Sequence, residues 1–523
     1  MNRKIWKALG IAVCMLALAA PRAMAKTYEV GTEDKFAEAV QEINKKSSDT
    51  ENEIVLTQDI TLGGNPNEYT LYTLSRGNTT IRGGGNKITI SNAGITVAKK
   101  GTVLNLGEKG YKGTLTIDGK TSGGFVSVLE GATANMYEHV TLQNWKSAGN
   151  ACVVIMGSES VFNMHGGVIE ECSRAVMADS GTTFNMSGGE IRNCVSMNDG
   201  GGLYADNSTI NITGGIISGC EGRWGGGLYA TNSSKITIKG GTISGCKGVL
   251  GCGLYATDSS KITISGGTIS GCTGLRGGGL YANNSTVTIN NSTISGCRAG
   301  AGGGLFVNNG STLNIKDGTI SKCFVSDTGK GGGLYAENST LTISGGTIKG
   351  NKAAYGGGVA LVKSKVKVEE PITNWTVVDN EAYKTDTGSG YIGGGIYLES
   401  GSMDVSNGSN KIYNNTADGH GADICLTDDT SSIKLPNAAN MGAKYLDSGI
   451  YIDGWYNDDN PRYTPSESGV PVKVDGAEPL KGALSLVASY KASPVRIEID
   501  ANGGVGGSSS QTVHKGTTVT LEA

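Results

Sequence analysis

Cysteine recurs in this chain at Cys172, Cys194, Cys220, Cys246, Cys272, Cys297 and Cys323, closing phrases such as Gly-Gly-Thr-Ile-Ser-Gly-Cys, and the spacing is nearly constant. A fixed period means that one structural unit is laid against copies of itself, so the fold must be a solenoid or a ring of blades. Each unit holds three short β-type runs, for example Gly227 to Ala230, Ile236 to Ile238 and Thr242 to Ser244, separated by Gly and Asn-Ser turns. No unit contains a sustained stretch of helical periodicity, which disfavours leucine-rich, ankyrin and tetratricopeptide architectures. A propeller needs about 40 residues per repeat and hairpin turns, and a hexapeptide left-handed helix needs a far shorter period. Three strands per coil therefore predicts an all-β chain built on a right-handed parallel β-helix, with roughly a dozen coils of about 26 residues each.

In such a coil, equivalent residues of successive turns stack about 4.8 Å apart. Leu203, Leu228, Leu254, Leu280, Leu305, Leu334, Val359 and Ile396 form one apolar column; Ile212, Ile238, Ile264, Ile289, Ile315 and Ile343 a second; Ile217, Ile243, Ile269, Ile294, Ile320 and Ile348 a third. These are the expected walls of the core. Period-2 alternation turns Thr237, Thr263, Thr288, Asn314 and Thr342 outward. Asn207, Asn232, Asp258, Asn284, Asn309 and Asn338 fall at one turn, where Asn and Asp tolerate left-handed backbone. Open solenoid ends expose strand edges, and Phe36, Ala39, Val40 and Ile43 share one face of a helix expected from Glu33 to Lys45, a suitable N-terminal cap. Coils before residue 150 are less regular.

The N-terminal segment places Arg3, Lys4 and Lys7 before an apolar run and ends in Ala23-Met24-Ala25, the pattern of a secretory signal peptide. Cys14 lies within the apolar run behind Val13, unlike a lipoprotein signal. Export through the Sec pathway to the cell surface or the extracellular space is the resulting expectation, with outer-membrane association an option. No later stretch has the length of a membrane span. Glycine, at 84 residues, has more than twice its usual share, whereas there are only nine prolines, so repetition rather than disorder explains the composition. A net charge of −3 argues against a nucleic-acid partner. Stacked cysteines lie within disulfide reach, but seven rungs cannot all pair within the row, and buried thiols acting as small hydrophobes fit at least as well. A single file gives no tetrahedral metal cage, and no cofactor is expected.

The phrase Gly-Gly-Gly-Leu-Tyr, preceded by Ile-Ser-Gly-Cys, resembles the GGA(I/L/V) and FxxN pair of the polymorphic outer-membrane protein repeats, within the wider pectin-lyase-like superfamily, over residues 52 to 436. Cysteine stands for the motif's Asn in most coils, and Asn returns at Asn351, Asn380 and Asn415. The resemblance implies a surface-exposed or secreted adhesin, usually followed by a β-barrel translocator, which is not read here. Residues 494 to 523, with Asp500-Ala501-Asn502-Gly503-Gly504 and Gln511-Thr512-Val513, resemble the first half of an internalin-type B-repeat of bacterial surface proteins. Gly454-Trp455-Tyr456 and Ala483 to Ala488 resemble the second half of a divergent copy. The expected layout is a signal peptide (1–25), a cap (26–51), the β-helix (52–436), a divergent B-repeat-like module (437–493) and a truncated one (494–523), pointing to a truncated or fragmentary gene product.

The pectin-lyase-like resemblance also implies polysaccharide lyases and glycosidases, whose chemistry needs carboxylates in one column of neighbouring coils. Between residues 194 and 350 the outward positions are Thr, Ser, Asn and Lys, with Asp258 isolated. Asp418, Asp423, Asp428 and Asp429 gather around His420, and Gly419-His420-Gly421 resembles one polygalacturonase motif, but the paired Asp follows instead of preceding and Arg-Ile-Lys is missing. Two contact surfaces remain. Tyr204, Tyr229, Tyr255, Tyr281, Phe306, Tyr335 and Tyr397 form an aromatic column interrupted by Ala360, either an exposed strip for sugar rings or a partner, or rings stacked on one another beneath a loop. Arg223, Lys247, Arg276, Arg298, Lys330 and Lys352 place about one cation per coil before the triple glycine, either a track for an anionic glycan or a solvated edge that resists aggregation. The leading expectation is a non-catalytic, adhesin-like protein that binds glycan, matrix or host surface protein along its solenoid. A carbohydrate-active enzyme is the alternative, and a structural stalk the second.

Overall fold

The structure, a computed structural model, describes residues 25–418 apart from 49, 66–68, 121–124, 147–150, 327, 369–374, 384–390 and 405–410, and beyond 418 only the strands Ile424–Leu426, Ser432–Lys434, Ala483–Val487, Val495–Asp500 and Ser509–Val513. The expected signal segment before residue 25, His420 with Asp423, Asp428 and Asp429, and Gly454-Trp455-Tyr456 lie outside the described residues.

Each coil contributes one strand to each of three long parallel sheets, two of which have 14 strands. The chain is a right-handed parallel β-helix of about 14 turns. Equivalent residues stack in register: Leu228 on Leu203 and Leu254, Ile238 on Ile212 and Ile264, Ile243 on Ile217 and Ile269. All three aliphatic columns are buried, none of their members more than 3% exposed. The turn column adopts the left-handed conformation the residue types anticipate, with φ between 44° and 51° from Asn207 to Asn338.

Two glycine positions make the repeat possible. The first of each triplet, such as Gly225 and Gly277, turns the chain at φ 62°. The third leaves room for the next coil: a Cβ on Gly227 would lie 2.6 Å from the Gly253 carbonyl oxygen and 3.2 Å from Cys246 Sγ. Glycine and cysteine are thus two halves of one packing solution, which is why they recur together. Where Asn replaces Cys it does more. Asn351, fully buried, accepts the Cys323 N–H through Oδ1 (2.9 Å) and donates to the Ile320 carbonyl (3.1 Å) and to Asn380 Oδ1 (2.9 Å). Asn380 and Asn415 repeat the arrangement.

A second amide ladder was hidden in the less regular coils. Asn105, Asn135, Asn163, Asn185 and Asn211 each donate to the preceding rung at 2.7–2.8 Å on the outside of one wall, which the Thr column then continues. The N-terminal end is closed by the helix Glu33–Asn44, whose Phe36, Ala39, Val40 and Ile43 are buried. Thr32 caps it by accepting the Lys35 N–H, and Phe36 meets Tyr72 edge-on at 5.3 Å. Ala483–Val487, Val495–Asp500 and Ser509–Val513 pair antiparallel, unlike the solenoid strands.

From Cys194 onward, the segment after each cysteine or asparagine rung adds a fourth wall to the coil. Val195–Asp199, Glu221–Trp224 and Lys247–Leu250 form a short parallel sheet, and Arg298–Ala299, Phe324–Val325, Lys352–Ala353, Glu381–Ala382 and Thr416–Ala417 form another. Bridges through Thr273 link the two.

Candidate functional site

The fourth wall decides the fate of the aromatic column. Tyr229, Tyr255, Tyr281, Phe306, Tyr335 and Tyr397 do point away from the central core, but they are only 1–8% exposed. They form a second apolar cluster with Val362 and Ile392, closed by the half-buried Trp224, Leu250, Ala301 and Tyr355. Successive rings from Tyr204 to Tyr335 lie 4.6–5.5 Å apart. Of the two readings of this column, the rings are stacked on one another and covered by the short strands rather than exposed, with Tyr204, at the N-terminal end, partly exposed. Burial pushes Tyr204 up to about 12 and raises Tyr229 and Tyr335 further. The buried rings pack the wall.

What the molecule presents instead is the outer surface of the fourth wall. One of its columns runs Val195, Glu221, Lys247, Thr273, Arg298, Phe324, Lys352, Glu381. A second runs Asp199, Trp224, Leu250, Arg276, Ala301. Between them, at the third position beyond Cys194, Cys220, Cys246 and Cys272, lies a crest: Met197 (87% exposed), Arg223, Val249 (41%) and Leu275 (57%). With Val195, half of the strongly exposed large hydrophobic side chains of the described residues sit on this one ridge. Sequence reasoning missed it, although an apolar residue at the third position after Cys194, Cys246 and Cys272 was a legible signal.

The cations divide into two kinds. Lys247 pairs with Glu221 (3.0 Å), Lys330 with Glu399 (2.5 Å) and Lys352 with Glu381 (2.6 Å). Arg223, Arg276 and Arg298 are exposed and make no ion pair among the described residues. Each lies against an aromatic ring instead: Trp224 at 5.4 Å, Phe306 at 5.9 Å and Phe324 at 4.5 Å. Asp199, raised by burial, feels the Arg174 and Arg223 charges.

The structure brings two carboxylates together that the sequence left unconnected. Asp179 and Asp206 occupy paired positions on neighbouring strands. Asp206 accepts from Asn232 (2.7 Å) and the Tyr204 hydroxyl (3.3 Å), and Asp179 from Ser180 (2.9 Å). Nearby Arg174, buried, donates to the Asp199 carbonyl oxygen at 2.9 and 3.1 Å. Asp418 is exposed. No group of three or more His, Cys, Asp or Glu side chains among the described residues has a metal-holding arrangement, and no described helix is long and apolar enough to cross a membrane.

The column from Cys172 to Cys323 consists of free, buried thiols. Contact with the preceding thiol, together with burial, holds Cys220 and Cys246 above the usual thiol range. Buried and in contact with one another, the thiols of Cys220 and Cys246 act as packing groups.

A β-helix protein is the class that fold and ridge define. In keeping with it, the sequence model of a family described as right handed beta helix region matches residues 151–317. No curated protein and no solved structure matches the chain.

Proposed function

We propose that the protein is exported and acts without catalysis, as an adhesin-like scaffold whose fourth wall is its contact surface for a glycan or a host or matrix surface protein. The observation that carries this reading is the ridge itself. Met197, Val249 and Leu275 stand in solvent on the paired fourth wall, Met197 at a bulge, where loss of apolar exposure on binding is favourable at about 25 cal/mol per Å² and little backbone entropy is lost. The resemblance of the coils to polymorphic outer-membrane protein repeats, and of the C-terminal segments to B-repeats, supports a surface location. A pectin-lyase-like carbohydrate-active enzyme is the competing reading, favoured only by the Asp179–Asp206 pairing, and both carboxylates are already engaged by neighbouring donors.

Purified mature protein is screened against glycan, polyuronate and matrix-protein panels, with and without calcium, following both retention and product release. Retention without turnover that falls at least tenfold in a Val249→Asp, Leu275→Asp double variant is the expected result. Turnover that is lost in Asp206→Asn would overturn it in favour of the enzyme.

A further inference from the structure

We infer that the ridge takes an acidic polysaccharide, laid along the solenoid axis, whose carboxylate or sulfate groups meet Arg223, Arg276 and Arg298; this rests on the fourth wall being the contact surface.

Charge selects the ligand class. Of the six cations in this stripe, the lysines are matched by Glu221, Glu399 and Glu381, whereas the three arginines are exposed and make no ion pair among the described residues, Arg223 feeling only the nearby Asp199 charge. A guanidinium held flat against a ring keeps its N–H edges outward, in the fork that matches a carboxylate or sulfate. The guanidinium carbons of Arg223, Arg276 and Arg298 lie 5.4, 5.9 and 4.5 Å from the ring centroids of Trp224, Phe306 and Phe324, contacts that restrain the side chains. Immobilised side chains lose less entropy on binding than free ones, so these sites are prepared for anions in a way that the paired lysines are not.

Spacing selects the polymer. Arg223 belongs to the coil of Trp224, and the register Trp224, Leu250, Arg276 sets Arg276 two coils further on. Two inter-strand steps are roughly 10 Å, close to the length of a disaccharide. Arg298 follows Thr273 in register, one coil beyond Arg276's. An extended chain with one anion per disaccharide would thus reach Arg223 and then Arg276, with Arg298 one coil further on and on the other side of the crest. The stretches between anions would pass over Val249 and Leu275, 41% and 57% exposed, which suit the apolar C–H faces of sugar rings. A double-stranded nucleic acid carries its phosphates far more densely along its axis than these three sites are spaced.

The test measures binding of the full chain to polygalacturonate, to hyaluronan, to a sulfated glycosaminoglycan and to a neutral β-glucan of similar length, over a range of salt. Acidic chains are expected to bind and the neutral chain not. The triple variant Arg223→Gln, Arg276→Gln, Arg298→Gln should weaken acidic binding at least thirtyfold and flatten its salt dependence, while Lys247→Gln, Lys352→Gln changes it less than threefold. A circular dichroism spectrum and melting curve matching the parent confirm that the triple variant is folded. Equal binding of neutral and acidic chains, lost in Val249→Asp, Leu275→Asp but kept in the triple arginine variant, would overturn the anionic ligand and leave the contact surface standing. Binding that neither set of variants changes would overturn both.

Discussion

At the scale of single residues, tyrosine shows how position and environment separate. Alternation correctly sends Tyr229, Tyr255, Tyr281 and Tyr335 away from the central core, because Leu228 and Ala230 and their equivalents occupy the inward sites. Direction alone does not say what lies over a side chain, and here the short strands do. The consequence is a pH dependence. A phenol ionises near 10 in an unfolded chain, whereas burial raises the folded value of Tyr229 and Tyr335 and brings Tyr204 to about 12. A raised folded value means that the native state holds its protons more tightly. The contribution is complete below about pH 10 and is lost as pH rises through the folded values, where the unfolded state is favoured. Absorbance at the phenolate wavelength, followed with far-ultraviolet circular dichroism, should show Tyr204, Tyr229 and Tyr335 titrating above the ordinary phenol range and only as structure is lost. Full ionisation with the fold intact would mean that the rings are solvated.

Among elements, the two that stand outside the three long walls were unequally legible. The helix Glu33–Asn44 was readable from Phe36, Ala39, Val40 and Ile43 because an apolar stripe at helical spacing is a local pattern, and its observed boundary differs from expectation by one residue. The fourth wall was not, because strands as short as Arg298–Ala299 or Lys352–Ala353 carry too few residues to show alternation and owe their pairing to coil stacking. The early Asn ladder escaped for a related reason: Phe162-Asn163-Met164 and Ile210-Asn211-Ile212 share a position only once the coils are in register. The cap also makes a testable contribution. Phe36 is fully buried at the N-terminal end, so Phe36→Ala should remove about 3–5 kcal/mol of local stability and uncover the solenoid end. Hydrogen exchange should accelerate in Lys26–Val30 and Ile60–Leu62 while the coils beyond residue 200 are unchanged, and light scattering should report concentration-dependent association through open edges. Lys35→Ala, which removes only an exposed pair with Glu38, should do neither. Unchanged exchange in Phe36→Ala would show that the helix is not the lid.

On the scale of the whole molecule, a solenoid has no single centre, and each coil is held by its two neighbours. Its stability is then a series of nearly equal contacts, and the cysteine column reports on each of them because a thiol reacts only when its coil opens. Cys220, Cys246, Cys272 and Cys297 are fully buried and sit in near-identical settings, so a thiol reagent should label them slowly and at similar rates. Cys323 is different: its own N–H is accepted by Asn351, where the column changes from thiol to amide. Asn351→Ala leaves that N–H and the Ile320 carbonyl oxygen without their partner in a dry interior. Such a loss is worth about 2–3 kcal/mol, which amounts to a roughly 30- to 150-fold change in the local opening equilibrium. In a nearest-neighbour stack that change stays near the altered coil. Peptide-resolved alkylation should therefore show Cys323 labelled far faster in Asn351→Ala than in the parent, with a smaller effect at Cys297 and little at Cys220. If all the cysteines accelerate together, the coils open as one cooperative body, and the asparagine rungs stabilise the whole column instead of their own coil.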